Sequence, residues 1–237
     1  MLSLGHHGLL NPGVVSQPEL SGFRRKKPDF LMLAYDSEAV TAILVEIEAP
    51  AKRWANKKGG PTAELSAAFD QLDDWKSWFK DPDNQNLFMN AYGIESHWQK
   101  TRVFEQRYIL IYGRREEATR SEAFAKKRKL LAKEHVATMT WDRLKPARHE
   151  DRPSIRMDRS KPDATWKTLH FPPTLKLGPA IAARMAELSY REEAIRRNRL
   201  MSKERKAFLI GRLAYWDEWA AEHPRPHFTF KTLHDEE

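Results

Sequence analysis

The chain has 237 residues, 41 Lys plus Arg against 33 Asp plus Glu, a formal net charge of +8 and no cysteine. The missing cysteine excludes a disulfide scaffold, thiolate zinc sites, iron–sulfur clusters and cysteine nucleophiles, and eight Trp with eleven Phe exclude a disordered, solvated chain. There is no run of about 20 apolar residues to span a bilayer, and Met1–Gly13 lacks the basic start of a secretory signal, so no membrane partner and a cytoplasmic location are expected.

In chain order, the basic string Arg24–Asp29 leads into the apolar run Phe30–Tyr35, a polar break at Asp36–Ala39, and a second run, Val40–Pro50. Two β-prone runs around a short polar loop predict a hairpin. Gly59-Gly60-Pro61 marks the next segment as loop. Thr62–Lys80 then carries Leu65, Phe69, Leu72 and Trp75 at helical spacing, behind a Thr suited to the N-cap. Asp81–Thr101 reads as an irregular packed insertion. A third strand is centred on Ile109, a very basic helix covers Glu116–His135, and a short strand and turn at 136–144 close the unit. This order is that of an α/β domain with a mixed sheet flanked by helices, over residues 1–146. Residues 147–178, rich in proline and charge, read as an extended linker. Residues 179–237 read as a C-terminal helical hairpin, with Pro179 opening a helix that faces Ile181, Met185 and Leu188 inward. Ser202 opens its partner, with Leu209, Leu213 and Trp216 as the stripe.

The acids of the first hairpin carry the chemistry. Glu46 and Glu48 lie two apart on one strand and so share a face. If Tyr35 pairs with Val40, paired residue numbers sum to 75 and Asp29 falls opposite Glu46, with Cβ atoms about 5 Å apart. Three carboxylates on one face of one hairpin, around an otherwise apolar strand, repel one another. Either a hard divalent cation, Mg²⁺ or Mn²⁺, relieves that repulsion, or the strand lies at an edge with its acids in water. Phosphodiester hydrolysis would need a cation near the developing charge, and Lys52, Lys57 and Lys58 follow in one loop, with Gln71 on the next helix. No H-E-x-x-H and no Gly-rich phosphate loop is present.

At these residues the sequence resembles the PD-(D/E)xK nuclease superfamily, and more specifically the nuclease domain of Shedu antiphage defence proteins. Pro28-Asp29 resembles the PD half of the motif, and Val45-Glu46-Ile47-Glu48-Ala49-Pro50 the acid-bearing strand. The likeness continues through Lys57–Ser66, Ala68–Trp78, Ile109–Arg115 and Thr140–Leu144. Glu48 stands where that superfamily most often has lysine. The resemblance implies a restriction-endonuclease-like core with a C-terminal helical extension added, and a metal-dependent DNA endonuclease acting in antiphage defence as a homo-oligomer. It implies Mg²⁺ or Mn²⁺ held by Asp29, Glu46 and the Ile47 carbonyl, with Glu48 ligating a metal or positioning water and Gln71 orienting the assembly. Lys57 is the candidate cation for the phosphate, with Lys52 second. Arg114 and Arg115, at a strand end, and Lys126, Lys127 and Lys129, on the basic helix, are candidate DNA contacts. The alternative is a nucleic-acid-binding or regulatory module that keeps the fold and has lost cleavage with the motif lysine.

Overall fold

The computed structural model describes residues 8–9, 14–20, 27–94, 96–119, 135–144, 153–158, 165–175, 185 and 188–222. Its contacts divide the chain into two units, one of Met1–Leu10 and Gln17–Pro146, the other of Asn11–Ser16 and Ala147–Glu237. Among the described residues, no helix is long and apolar enough to cross a membrane.

The first unit is built on the expected hairpin, β3 (Phe30–Tyr35) and β4 (Ala39–Ile47). Asp36 closes it, its Oδ1 accepting from the amides of Glu38 and Ala39 at 2.8 and 2.7 Å. The register is the one that a tight loop dictates: Tyr35 faces Val40 and Phe30 faces Val45. β1 (Gly8–Leu9) pairs antiparallel with the outer side of β3. On the other side, β4 pairs in parallel with β5 (Val103–Ile111), and β5 with β6 (Val136–Met139). β4 is therefore a central strand, buried on both faces, as its nearly continuous apolar run requires. One face packs Ile43 and Val45 with Ala34, Ile109 and Ile111.

α1 (Ala63–Phe79) starts where Thr62 Oγ1 accepts from the Leu65 amide, and it buries Leu65, Phe69, Leu72, Trp75 and, among these apolar side chains, Gln71. The insertion expected to be irregular is helical instead: α2 (Pro82–Ala91) and α3 (Ser96–Thr101). The reason is local. Asp81 caps α2 through the Asp83 amide and Pro82 occupies the first turn, where its missing N–H costs nothing. Phe88 then stacks on Phe79 and Tyr92, with ring centroids 5.0 and 4.6 Å apart, anchoring α2 to α1. After β5, α4 (Arg115–Thr119) lies where the basic helix is expected to begin; Lys126, Lys127 and Lys129 lie outside the described residues. A 3₁₀ turn at Trp141–Arg143 follows β6.

In the second unit, the stretch read as an extended linker holds two strands. β2 (Val14–Ser16) pairs in parallel with β7 (Ser154–Asp158), which pairs antiparallel with β8 (Thr165–His170), and β8 pairs in parallel with β9 (Leu188–Ser189). Sequence alone misses these strands because β7 is paired with a strand near the start of the chain and the alternation of both is largely polar. Leu188, expected on a helix face, is in β9, and Pro179–Arg184 lie outside the described residues. Two helices do follow, α5 (Arg191–Arg197) and α6 (Lys203–Glu222), with Leu209, Leu213 and Trp216 buried as the stripe requires. Arg191 holds Asp217 through two 2.8 Å hydrogen bonds, tying one helix to the other.

The loop between β4 and α1 returns against the end of β5 at Gly113. There φ is +54°, and an added Cβ would stand 2.7 Å from both the Lys52 carbonyl and the Trp54 indole nitrogen. Gly113→Ala is expected to destabilise the fold by about 2 kcal/mol, read as a lower urea midpoint with unchanged m-value.

Candidate functional site

Glu46 lies at the C-terminal end of β4 and is only 8% exposed. An ionised carboxylate in such a position must be compensated, and α1 supplies one donor: Gln71 Nε2 donates to Glu46 Oε1 at 2.8 Å. Because β4 is flanked by β3 and β5, the alternative of an edge strand with all its acids in water does not hold for Glu46. Gln71 is a polar residue at a helix position otherwise reserved for core, and this is the signal by which sequence reading finds it.

Asp29 occupies the position opposite Glu46, one step beyond the last β3 pair. Its amide donates to the Val45 carbonyl at 3.0 Å, and its Oδ2 accepts from the Ile47 amide at 2.7 Å. The side chain thus takes over where the ladder ends, and fixes the backbone of the residue between the two glutamates. Glu48 is held by its backbone on both sides: its amide donates to the Ile111 carbonyl at 2.8 Å and its carbonyl accepts from the Trp141 indole at 2.6 Å. Its carboxylate does not join those of Asp29 and Glu46 in a cage. Among the described residues, no three His, Cys, Asp or Glu side chains gather to hold a metal ion. Instead Glu48 Oε2 accepts from Lys52 Nζ at 2.6 Å.

Lys52 is therefore the loop cation that meets Glu48. The loop is pinned for this purpose. Thr62 Oγ1 donates to the Arg53 carbonyl at 2.8 Å, the Tyr112 hydroxyl donates to the same carbonyl at 3.2 Å, and the fully buried Trp54 packs edge-on against Tyr112 at 5.1 Å. Burial pushes the Tyr112 phenol up from its ordinary pKa, so it stays a neutral donor. Lys57 sits farther along, exposed, in a turn organised by Asn56. Arg114 is exposed and pairs with Asp142 at 3.5 Å, while the Arg115 amide donates to Asp142 Oδ2 at 2.6 Å. That amide and the Arg114 guanidinium hold the Asp142 carboxyl below its usual range. Sequence reading missed Trp141 and Asp142 as the clamp on the strand ends, since nothing local to Thr140–Leu144 reveals what an indole will reach.

The donor chemistry fits one hard divalent cation: two opposed carboxylates and the Ile47 carbonyl, with no imidazole or thiolate. Beside them, Gln71 Oε1 is buried with no hydrogen-bond partner among the described residues, as suits a group oriented toward something further.

A family model described as Shedu protein SduA, C-terminal, matches residues 8–144. Comparison with curated proteins gives no match.

The Glu48 carboxylate raises the Lys52 ammonium above its ordinary pKa of 10.5. A raised lysine pKa contributes stability that is complete below the unfolded value and is lost as pH rises through the folded one. The stability difference between wild type and Lys52→Gln should thus be constant from neutrality to about pH 10 and shrink above it, as measured by urea denaturation across pH.

Proposed function

Because the chain belongs to the Shedu protein SduA C-terminal family, which is associated with antiphage defence, we propose that it is a metal-dependent DNA endonuclease. The observation that carries this reading is the buried Glu46 carboxylate, held by Gln71 opposite Asp29 at the end of a central strand. Glu46 adds nothing to stability there, since a desolvated carboxylate opposite a second acid opposes folding. Such an arrangement is explained by a ligand that neutralises them.

Asp29, Glu46 and the Ile47 carbonyl would hold Mg²⁺ or Mn²⁺. When bound, such an ion supplies Lewis acidity toward phosphate oxygens and makes water acidic enough to attack at neutral pH. Gln71 keeps the Glu46 carboxylate in one orientation, so that no reorganisation is needed at the moment of reaction. Asp29 fixes the backbone of Ile47, and Trp141 that of Glu48, which keeps the strand end rigid. Lys52 would stabilise charge developing on the phosphate. Glu48 stands at the usual lysine position and, through its ion pair, delivers the Lys52 ammonium to the acidic end of the strand. A lysine reached by ion pairing across four residues thereby replaces one borne by the strand itself. Assembly of several copies of the chain belongs to the same reading, in keeping with its family.

The competing reading, a nucleic-acid-binding or regulatory module without cleavage, draws on the same substitution, since the strand itself carries no lysine. Incubation of supercoiled and linear DNA with the wild type in Mg²⁺ or Mn²⁺ separates the two. Cleavage is expected for the wild type. It should fall by two orders of magnitude or more in Glu46→Ala, about 100-fold in Lys52→Ala, and much less in Lys57→Ala. DNA binding without any cleavage at any metal concentration would establish the module instead.

A further inference from the structure

Residues 55–61 form a miniature hairpin whose rigidity exceeds what a solvated turn needs. Ala55 bridges to Pro61. The Asn56 amide donates to the Gly60 carbonyl at 2.8 Å, and the Gly59 amide returns to the Asn56 carbonyl at 3.0 Å. Asn56 also acts as an internal brace: its Oδ1 accepts from the amides of Lys58 and Gly60 at 2.9 and 3.1 Å, and its Nδ2 donates to the Pro61 carbonyl at 3.0 Å. Gly59, at φ +75°, makes the reversal that other residues resist. The base is fixed by the Thr62 amide donating to the carbonyl of fully buried Trp54 at 3.3 Å. Two consecutive lysines, Lys57 and Lys58, are exposed at the tip. Ordering an exposed loop costs conformational entropy with no apolar burial in return, which suits a loop that presents something.

The electrostatics say what is presented to. Asp29 and Glu46 repel a polyanion, Lys52 is engaged by Glu48, and Arg114 is engaged by Asp142. A substrate strand approaching the acids needs compensating cations close by, and the hairpin begins three residues after Lys52. We infer that the 55–61 hairpin is a DNA-backbone contact, in which Lys57 and Lys58 bind two phosphates of the duplex beside the scissile bond. This rests on the nuclease reading and divides the loop's lysines by role: Lys52 serves the reacting phosphate, Lys57 and Lys58 hold its neighbours. Point-charge ammonium groups on a braced turn give affinity and register without reading sequence.

The test is fluorescence-anisotropy binding of the full chain to labelled duplexes of two unrelated sequences, in a fixed concentration of Ca²⁺ to neutralise the acids, across a salt series. The variants are Lys57→Gln/Lys58→Gln and Asn56→Ala. Each phosphate contact contributes about 0.9 to the slope of log K against log salt, so the double variant should lose about 1.8 from that slope and weaken both duplexes alike. In cleavage the loss should fall on KM far more than on kcat. Asn56→Ala keeps both charges and loosens their mount, so it should weaken binding while retaining most of the slope. An unchanged slope in the double variant, or a loss confined to kcat, overturns the assignment while leaving the nuclease reading standing. A wild type that shows no salt-dependent DNA binding overturns both.

Discussion

A carboxylate buried at the end of a central strand is the constraint around which the first unit is arranged. Glu46 is desolvated by β3, β5 and α1 together, and an ionised acid so placed costs several kcal/mol unless its oxygens are met. Gln71 meets one of them from α1. This bond fixes the azimuth of the helix on the sheet, since turning α1 by one position would set either Leu72 or the acid Asp70 against Glu46. The apolar stripe of Leu65, Phe69, Leu72 and Trp75 then supplies the packing that holds the helix there. The polar contact sets the register and hydrophobic burial supplies the strength.

From the same strand end, each neighbour is tied to the next. Asp29 caps the Ile47 amide, the Glu48 amide reaches Ile111 on β5, and Trp141 reaches back from the turn after β6 to the Glu48 carbonyl. Gly113 admits the loop carbonyl of Lys52 at a distance no other residue would allow. The loop carries its cation back to Glu48 in this way. Three strands and one loop thus converge on a patch whose backbone is fixed by hydrogen bonds and whose loop cation is paired with Glu48. Preorganisation of this kind is what a charge-stabilising site requires.

Much of this was legible in the sequence, for identifiable reasons. A short polar loop between two apolar runs leaves few registers, so the pairing of Tyr35 with Val40, and with it the opposition of Asp29 and Glu46, follows from counting. α1 was legible from its 3.6-residue apolar period and its Thr cap. The likeness to Shedu nuclease domains rests on the same stretches, and the family match covers them. What escaped depends on long-range partners. β7 is paired with β2, more than a hundred residues away, and β8 joins the sheet through β7 and β9; their polar alternation between prolines gives no local sign of it. α2 carries its signal in Asp81-Pro82, the N-cap and first turn, but Asp81–Thr101 lacks a clear apolar period and reads as an irregular insertion. Position in the sequence favours Lys57 over Lys52, because Lys57 precedes a Gly-Pro turn. That turn points its lysines to solvent, and only the folded loop reveals that Lys52 meets Glu48.

The central claim is that Asp29 and Glu46 are held in opposition to bind a divalent cation. Isothermal titration of the purified chain with MnCl₂ tests it most directly, with Glu46→Gln and Asp29→Asn as comparisons of nearly unchanged shape. The account predicts one Mn²⁺ per wild-type chain, binding abolished in Glu46→Gln and clearly weakened in Asp29→Asn. Equal Mn²⁺ affinity in wild type and Glu46→Gln, or no binding by a folded wild type, would contradict it.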